Sequence, residues 1–333
     1  MTTTPRVRLS GPAQMIAAVP YLIGFRPEES IVAVGVSSAS QQVSLTMRVD
    51  LPQPADVPEL ADLIATHLEH AGAEQAVLVL LNEEAGAELP RWDLVEATAA
   101  ALAERGVGLR DALCERAGRW WSYLCAEPEC CPPQGTPVDP AEAAEIAAMT
   151  AWLGDVVHES RAELAATLAP GEPIPSDVLE RAQREFGQEV IRRGRKAVAA
   201  RSRKLVRKAV LARVEHSPQL TPDRVARLAL GLTDVLVRDS CLGWAGTGLE
   251  HAAEALWVEL VRRSPAPYAA APATMLAVHA YLRGNGGYAR IALDRALDSD
   301  PDYSFARLLE AGLDRGVPPG ALRAALAIEQ AAA

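Results

Sequence analysis

Apolar and polar positions change rhythm several times along this chain, and each change predicts an element. Ser30 to Val36 is a nearly unbroken apolar run rich in valine and isoleucine, the pattern of a strand buried on both faces. Val43 to Leu51 alternates instead, with Val43, Leu45, Met47 and Val49 set against Ser44, Thr46, Arg48 and Asp50. A strand with that period turns one face to a core. With turn chemistry between them at Ser37 to Gln41, the two predict a hairpin. The period then lengthens. Leu60, Leu63, Ile64 and Leu68 stand at helical spacing within Asp56 to Ala71, and Gly72 ends that helix. Gln75 to Leu81 predicts another buried strand, Arg91 to Arg105 another helix stopped by Gly106, and Val107 to Cys114 and Arg119 to Leu124 two more strands. Ahead of these, Ser10 is placed to cap a short helix that runs to Val19 and stops at Pro20.

Beyond Val138 the strand rhythm gives way to helix signals. Asp139-Pro140 supplies a cap and a first-turn proline, and Ser160 with Glu163 forms a capping box. Ala169 to Pro175 reads as a linker, after which Ser176 is placed to cap one long helix to about Val214. Thr221-Pro222-Asp223 opens the next, Gly246-Thr247-Gly248 precedes the helix that carries Trp257, and helices continue to the end. The expected fold is therefore α+β or α/β: an N-terminal mixed sheet covered by helices over residues 1–138, then an all-helical domain over residues 139–330. Ala273, Leu276, Tyr281, Gly284, Ala289, Ala292, Leu293 and Ala296 give its last helices a tetratricopeptide-like look, over about one and a half repeats.

At 333 residues the chain has room for two such cores. Its net charge of -10 argues against a protein that coats nucleic acid or anionic membrane as a whole. No window approaches the roughly 20 apolar residues of a membrane span, and MTTTPRVRLSGPAQ lacks the apolar core of a signal peptide, so a cytoplasmic location is expected. The charge is uneven, however. Between Glu180 and Arg213 stand twelve Arg or Lys residues against three Glu, so the predicted long helix carries a local +9. Ile191, Val198, Leu205 and Ala212 make an apolar seam at seven-residue spacing, and Arg192, Arg193, Arg195 and Lys196 lie on the basic exterior. Nucleic acid is one candidate for that face, and neutralisation of the acidic remainder, the reading that the overall acidity favours, is the other.

The densest chemistry lies between Arg119 and Val138, RWWSYLCAEPECCPPQGTPV. On a strand, Arg119, Trp121 and Tyr123 share one face, a cation, a flat ring and a hydroxyl suited to an anionic or planar ligand; an aromatic core strand is the simpler reading. Cys125, Cys130 and Cys131 follow C-x4-C-C, which lacks the second pair of a structural zinc site. The fold would have to bring His158 or Cys241 to complete one, and a packed turn with buried thiols is the reading this spacing favours. Zinc is the one cofactor the spacing leaves open. Farther on, Asp234, Arg238 and Asp239 stand at i, i+4 and i+5, either a surface ion pair or part of a polar site. No Walker loop, nucleophile elbow or zinc-binding histidine pair is present.

Ala18-Val19-Pro20-Tyr21-Leu22-Ile23-Gly24-Phe25, the strand ending Arg48-Val49-Asp50-Leu51, and above all RWWSYLC with its CCP and GTPV followers, are similar to the actinobacterial family described as domain of unknown function 4192. The resemblance spans nearly the whole chain. It implies a bacterial cytosolic protein and brings no activity. Without a complete catalytic constellation, the expectation is a protein that binds a protein partner or small ligand; the alternatives are an enzyme with its site at the cysteine turn and nucleic-acid binding through the basic helix.

Overall fold

The computed structural model describes residues 9, 11–37, 42–83, 89–153, 156–214 and 219–332. The predicted turn at Ser37 to Gln41 falls largely outside them, as does Ser10. The chain forms two compact units, residues 1–164 with 315–318 and residues 165–314 with 319–333.

The first unit is built on a six-stranded sheet: β1 (Ser30–Ser37), β2 (Gln42–Asp50), β3 (Gln75–Leu81), β4 (Gly108–Arg116), β5 (Arg119–Ser122) and the short β6 (Thr136–Pro137), in the order β2-β1-β3-β4-β5-β6. All neighbours are antiparallel except β3 and β4, whose parallel pairing follows from the crossover helix between them. The predicted hairpin of β1 and β2 is present, with Ile31 opposite Val49 and Ala33 opposite Met47. β1 and β3 are central and buried on both faces, which is why they read as continuous apolar runs. On one face Ile31, Ala33, Leu78, Leu80, Ala112 and Cys114 pack under α2 (Val57–His70) and α3 (Trp92–Glu104) through Leu60, Ile64, Leu68, Leu94 and Leu102. Close approach sets one residue type here. A Cβ on Gly35 would sit 2.8 Å from Leu68 Cδ2 and 2.9 Å from Ala73 Cβ.

The other face carries Val32, Val34, Val77, Val79 and Leu113, also buried, and α1 (Pro12–Ile23) lies against β2, β4 and β5. The expectation for α1 needs correcting at both ends. Its N-cap is Gly11, Pro20 lies inside it, and it stops at Gly24, whose left-handed φ of 87° makes the turn. Pro20 forfeits one backbone bond, but ending there would expose Ile23, so burial outweighs the proline. α4 (Ala144–Leu153) packs on α1 through Ala17, Ala18, Ala143 and Ile146, so this stretch beyond Val138 belongs with the sheet. Half of the Ser160–Glu163 capping box forms at the start of α5 (Arg161–Ala166): Glu163 N–H donates to Ser160 Oγ at 3.0 Å, while the Glu163 carboxylate accepts from Glu159 N–H at 2.6 Å.

The second unit is helical. The one long helix expected after Pro175 is two, α6 (Ser176–Arg193) and α7 (Arg195–Val214), divided at Gly194 with φ 74° and ψ 154°. Pro175, not Ser176, is the N-cap of α6. The break resets the helical phase, so the expected seam holds in part: Ile191 is exposed, Val198 is buried, Leu205 and Ala212 are half-buried, and α7 also buries Ala199, Ser202, Val206, Ala209 and Val210. Then follow α8 (Pro222–Leu232), α9 (Val235–Asp239), α10 (Glu250–Arg263), α11 (Ala270–Leu282), α12 (Gly286–Ser299), α13 (Ser304–Asp314) and α14 (Pro319–Ala332). α11 is the hub. Every one of its residues is buried, as an all-round apolar sequence requires, and it packs between α10 and α12.

Candidate functional site

The cysteine turn leaves the sheet at the end of β5 and returns to it as β6. Trp120 pairs with Thr136 and Arg119 with Pro137, so the loop between is closed at its base. Arg119 holds it, Nε donating to Gln134 O at 2.6 Å and Nη2 to Gly135 O at 2.9 Å. Trp121, on the same strand face, holds it too, with its indole N–H donating to Pro133 O at 3.0 Å. The indole also lies under the Arg116 guanidinium, 5.1 Å away, and against the backbone of Gly135. A Cβ at Gly135 would come within 2.5 Å of the ring, and its φ of 72° is itself one that side chains avoid. Arg119 and Trp121 thus grip the turn.

Tyr123 keeps the expected face, its N–H donating to Ala112 O at 2.8 Å beside Cys114, the register partner of Trp121, but it does not join the grip on the turn. β5 ends at Ser122, and Tyr123 enters the core beside Cys114, its hydroxyl donating to Pro90 O at 2.6 Å and its ring edge-on to Trp92 at 5.1 Å.

Within the turn, Glu127 O accepts from both Cys130 N–H, at 3.1 Å, and Cys131 N–H, at 2.7 Å. That tight bend overcomes the tendency of adjacent cysteines to diverge. The Sγ atoms of Cys125, Cys130 and Cys131 all lie within 4.8 Å of one another. A packed turn with buried thiols was expected; instead Cys130 is exposed and the other two are half-buried. Hydrogen bonds from the Glu127 backbone and then from Cys131 lower the pKa of Cys125. Burial and the neighbouring Cys125 push Cys131 up to about 11. The result is one thiol of lowered pKa beside two potential partners. His158 does not join them: its backbone is bound to Gly24 and Arg26. Cys241 is buried in the helical unit, where its thiol donates to Val237 O at 3.2 Å.

The other sequence candidates are held apart by local structure. Asp234 precedes α9 as its N-cap, accepting from Leu236 N–H at 2.9 Å, and pairs with Arg195 at 2.7 Å instead of with Arg238. Arg238 pairs with Asp239 at 2.7 Å and lies 4.6 Å over the Phe305 ring. Arg195 and Asp234 line a cleft of about 220 Å³ together with Phe186, Val190 and Thr233. On the basic face Arg193 pairs with Glu189 at 3.6 Å, and Arg192, Arg193, Arg195 and Lys196 are all exposed around the Gly194 break.

A second cluster lies within the helical unit. Glu250 and Glu254, one turn apart on α10, meet His279 of α11, with a carboxylate oxygen of each and a ring nitrogen all within 4.8 Å. Arg283 is ion-paired with Glu254 and lies 3.7 Å from Glu250. Gly246 N–H donates to Glu250 Oε2 at 2.9 Å, while Oε1 has no hydrogen bond. His279 is fully buried and neither ring nitrogen makes a hydrogen bond of normal geometry. Burial pushes its pKa down to about 4, opposed by the Cys241 carbonyl, which leaves the ring neutral at pH 7. The Glu250/Glu254 spacing was visible in the sequence; the histidine, 25 residues on in an alanine-rich helix, gave no signal.

Among the described residues no helix is long and apolar enough to cross a membrane. No curated protein and no solved structure matches the chain. A family model described as Domain of unknown function (DUF4192) matches residues 12–320, nearly all of both units, and the chain belongs to that family.

Proposed function

We propose that the protein binds a ligand without transforming it, and that the ligand at its sheet edge is a thiophilic metal ion, zinc, held by Cys125, Cys130 and Cys131. The observation that carries this reading is the convergence of the three Sγ atoms within 4.8 Å on a turn gripped by Arg119 and Trp121. In a tetrahedral site with Zn–S bonds of about 2.3 Å, the sulfurs stand about 3.8 Å apart, so a contraction of about 1 Å or less is enough. The lowered pKa of Cys125 favours the thiolate form that metal binding requires. Soft thiolate donors select zinc or copper(I) over magnesium or calcium. Because Cys130 is exposed, the fourth position opens outward, to water or to a donor group of a partner protein. The tetratricopeptide-like spacing of small residues in the sequence of the last helices supports contact with such a partner. A reducing cytosol suits this reading, since it keeps the thiols unpaired.

Metal analysis of the protein purified under reducing conditions tests it. One zinc per chain is expected, lost in Cys125→Ser and in Cys130→Ser. A wild-type chain that takes up no zinc when the ion is supplied, with all three thiols open to a thiol reagent, would overturn the proposal.

A further inference from the structure

We infer that the helical unit holds a second metal site of different chemistry, in which Glu250, Glu254 and His279 bind a divalent first-row cation and Arg283 occupies the position when the metal is absent. The starting point is a concentration of buried polar atoms that make no hydrogen bond. Buried donors and acceptors are nearly always satisfied, and each exception calls for a cause such as an ion. Here His279 Nδ1 and Nε2, Glu250 Oε1 and the indole nitrogen of Trp257, whose ring packs edge-on to His279 at 6.5 Å, are all without a hydrogen bond. Thr274, also on α11, satisfies itself on Ala270 O at 2.8 Å. His279 makes no such bond to its own helix; the Cys241 carbonyl lies near its ring, but neither nitrogen makes a hydrogen bond of normal geometry.

The donor set is mixed. Two carboxylates and one imidazole suit zinc, manganese or iron(II) better than a thiophilic ion, and donors bound at about 2.1 Å stand about 3 Å apart. The three ligand atoms, within 4.8 Å of one another, can close to that distance by side-chain rotation of the two glutamates. Gly246 already fixes one Glu250 oxygen, the outer hydrogen bond that metal-bound carboxylates commonly have. Charge points the same way. Two largely buried carboxylates face Arg283, which offsets one of their charges; a divalent ion taking its place would offset both. Arg283 is part-exposed at the rim, so it can swing into solvent as the ion enters.

Manganese tests this site independently of the cysteine turn, because Mn²⁺ has little affinity for thiolates. The full chain is titrated with Mn²⁺ and the free ion followed by its electron paramagnetic resonance signal. One Mn²⁺ per chain is expected, unchanged in Cys130→Ser. Glu254→Gln, at the part-exposed edge, should weaken binding by at least about tenfold. Arg283→Gln should strengthen it by about tenfold, because it removes the competing cation. A cluster that is only an ion-pair network predicts the reverse pattern, destabilisation by Arg283→Gln with no Mn²⁺ uptake in any variant, and that result overturns the inference. Uptake that Glu254→Gln leaves unaltered overturns it too, since the ion is then bound elsewhere.

Discussion

The two clusters solve the problem of bringing donors together in opposite ways. In the sheet unit three cysteines lie within seven residues, and the work falls on the backbone: a bend at Glu127 and the clamps from Arg119 and Trp121 bring the thiols together at the surface. In the helical unit the donors are 29 residues apart at most and each sits on a rigid helix, so packing of α10 on α11 sets the geometry and buries it. The first arrangement should be open and reactive. The second should be sequestered and should weigh on stability.

Thiol reactivity gives the largest expected contrast. Alkylation depends on the thiolate, whose fraction falls tenfold for each pH unit below the pKa. Burial pushes Cys114 up to about 11 and Cys241 up to about 12, whereas the pKa of Cys125 is lowered. At pH 8 a thiol with a pKa near 11 is about one part in a thousand ionised. In reduced, chelator-treated protein, iodoacetamide should modify Cys125 first and more than about a hundredfold faster than Cys114 or Cys241, as mapped by peptide mass spectrometry. Rates that rank Cys114 alongside Cys125 would mean that the turn does not activate its thiol. Added zinc should suppress the Cys125 reaction and leave Cys114 and Cys241 as they were.

Next comes the clamp itself, which can be broken without touching a thiol. Gly135→Ala places a methyl group within 2.5 Å of the Trp121 ring at a φ of 72°. Left-handed backbone and the clash together should cost about 2–4 kcal/mol, or displace the indole and release the turn. Either way, zinc occupancy and the tryptophan emission should change together. Full metal binding at unchanged stability would show that the thiols meet without the clamp.

These contrasts bear on what could be read before any coordinates. The sheet was legible because its strands announce themselves locally: the valine-rich run of β1, the alternation of β2 and the hairpin between them need only period-2 geometry. The cysteine turn was half legible. Its spacing was plain, but the convergence depends on Glu127 O accepting two N–H groups and on β6, a two-residue strand too short to leave a pattern. Tyr123 stood on the expected face, but the acceptor of its hydroxyl, Pro90 O, is 33 residues away and left no local pattern. In the helical unit the seam of α6 and α7 broke at one residue: Gly194 in a basic, helix-favouring stretch looked tolerable, yet it divides the helix and turns Ile191 outward. His279 was invisible for a different reason. Only three-dimensional packing reveals that a histidine in a buried helix makes no hydrogen bond of normal geometry.

The smallest expected effect separates stability from binding at that histidine. An unsatisfied buried imidazole costs free energy, so replacing it with an apolar side chain of similar volume should stabilise the metal-free fold. For His279→Leu in chelator we expect a gain of about 1–2 kcal/mol in chemical denaturation, with the slope unchanged. Manganese should then reverse the order. The wild-type chain gains stability in proportion to the logarithm of metal concentration above its dissociation constant, while the variant, lacking a ligand, gains none. The two denaturation midpoints should therefore cross as Mn²⁺ is added. If His279→Leu lowers stability in chelator, the ring has a partner after all, and the case for an ion beside Glu250 and Glu254 loses its main support.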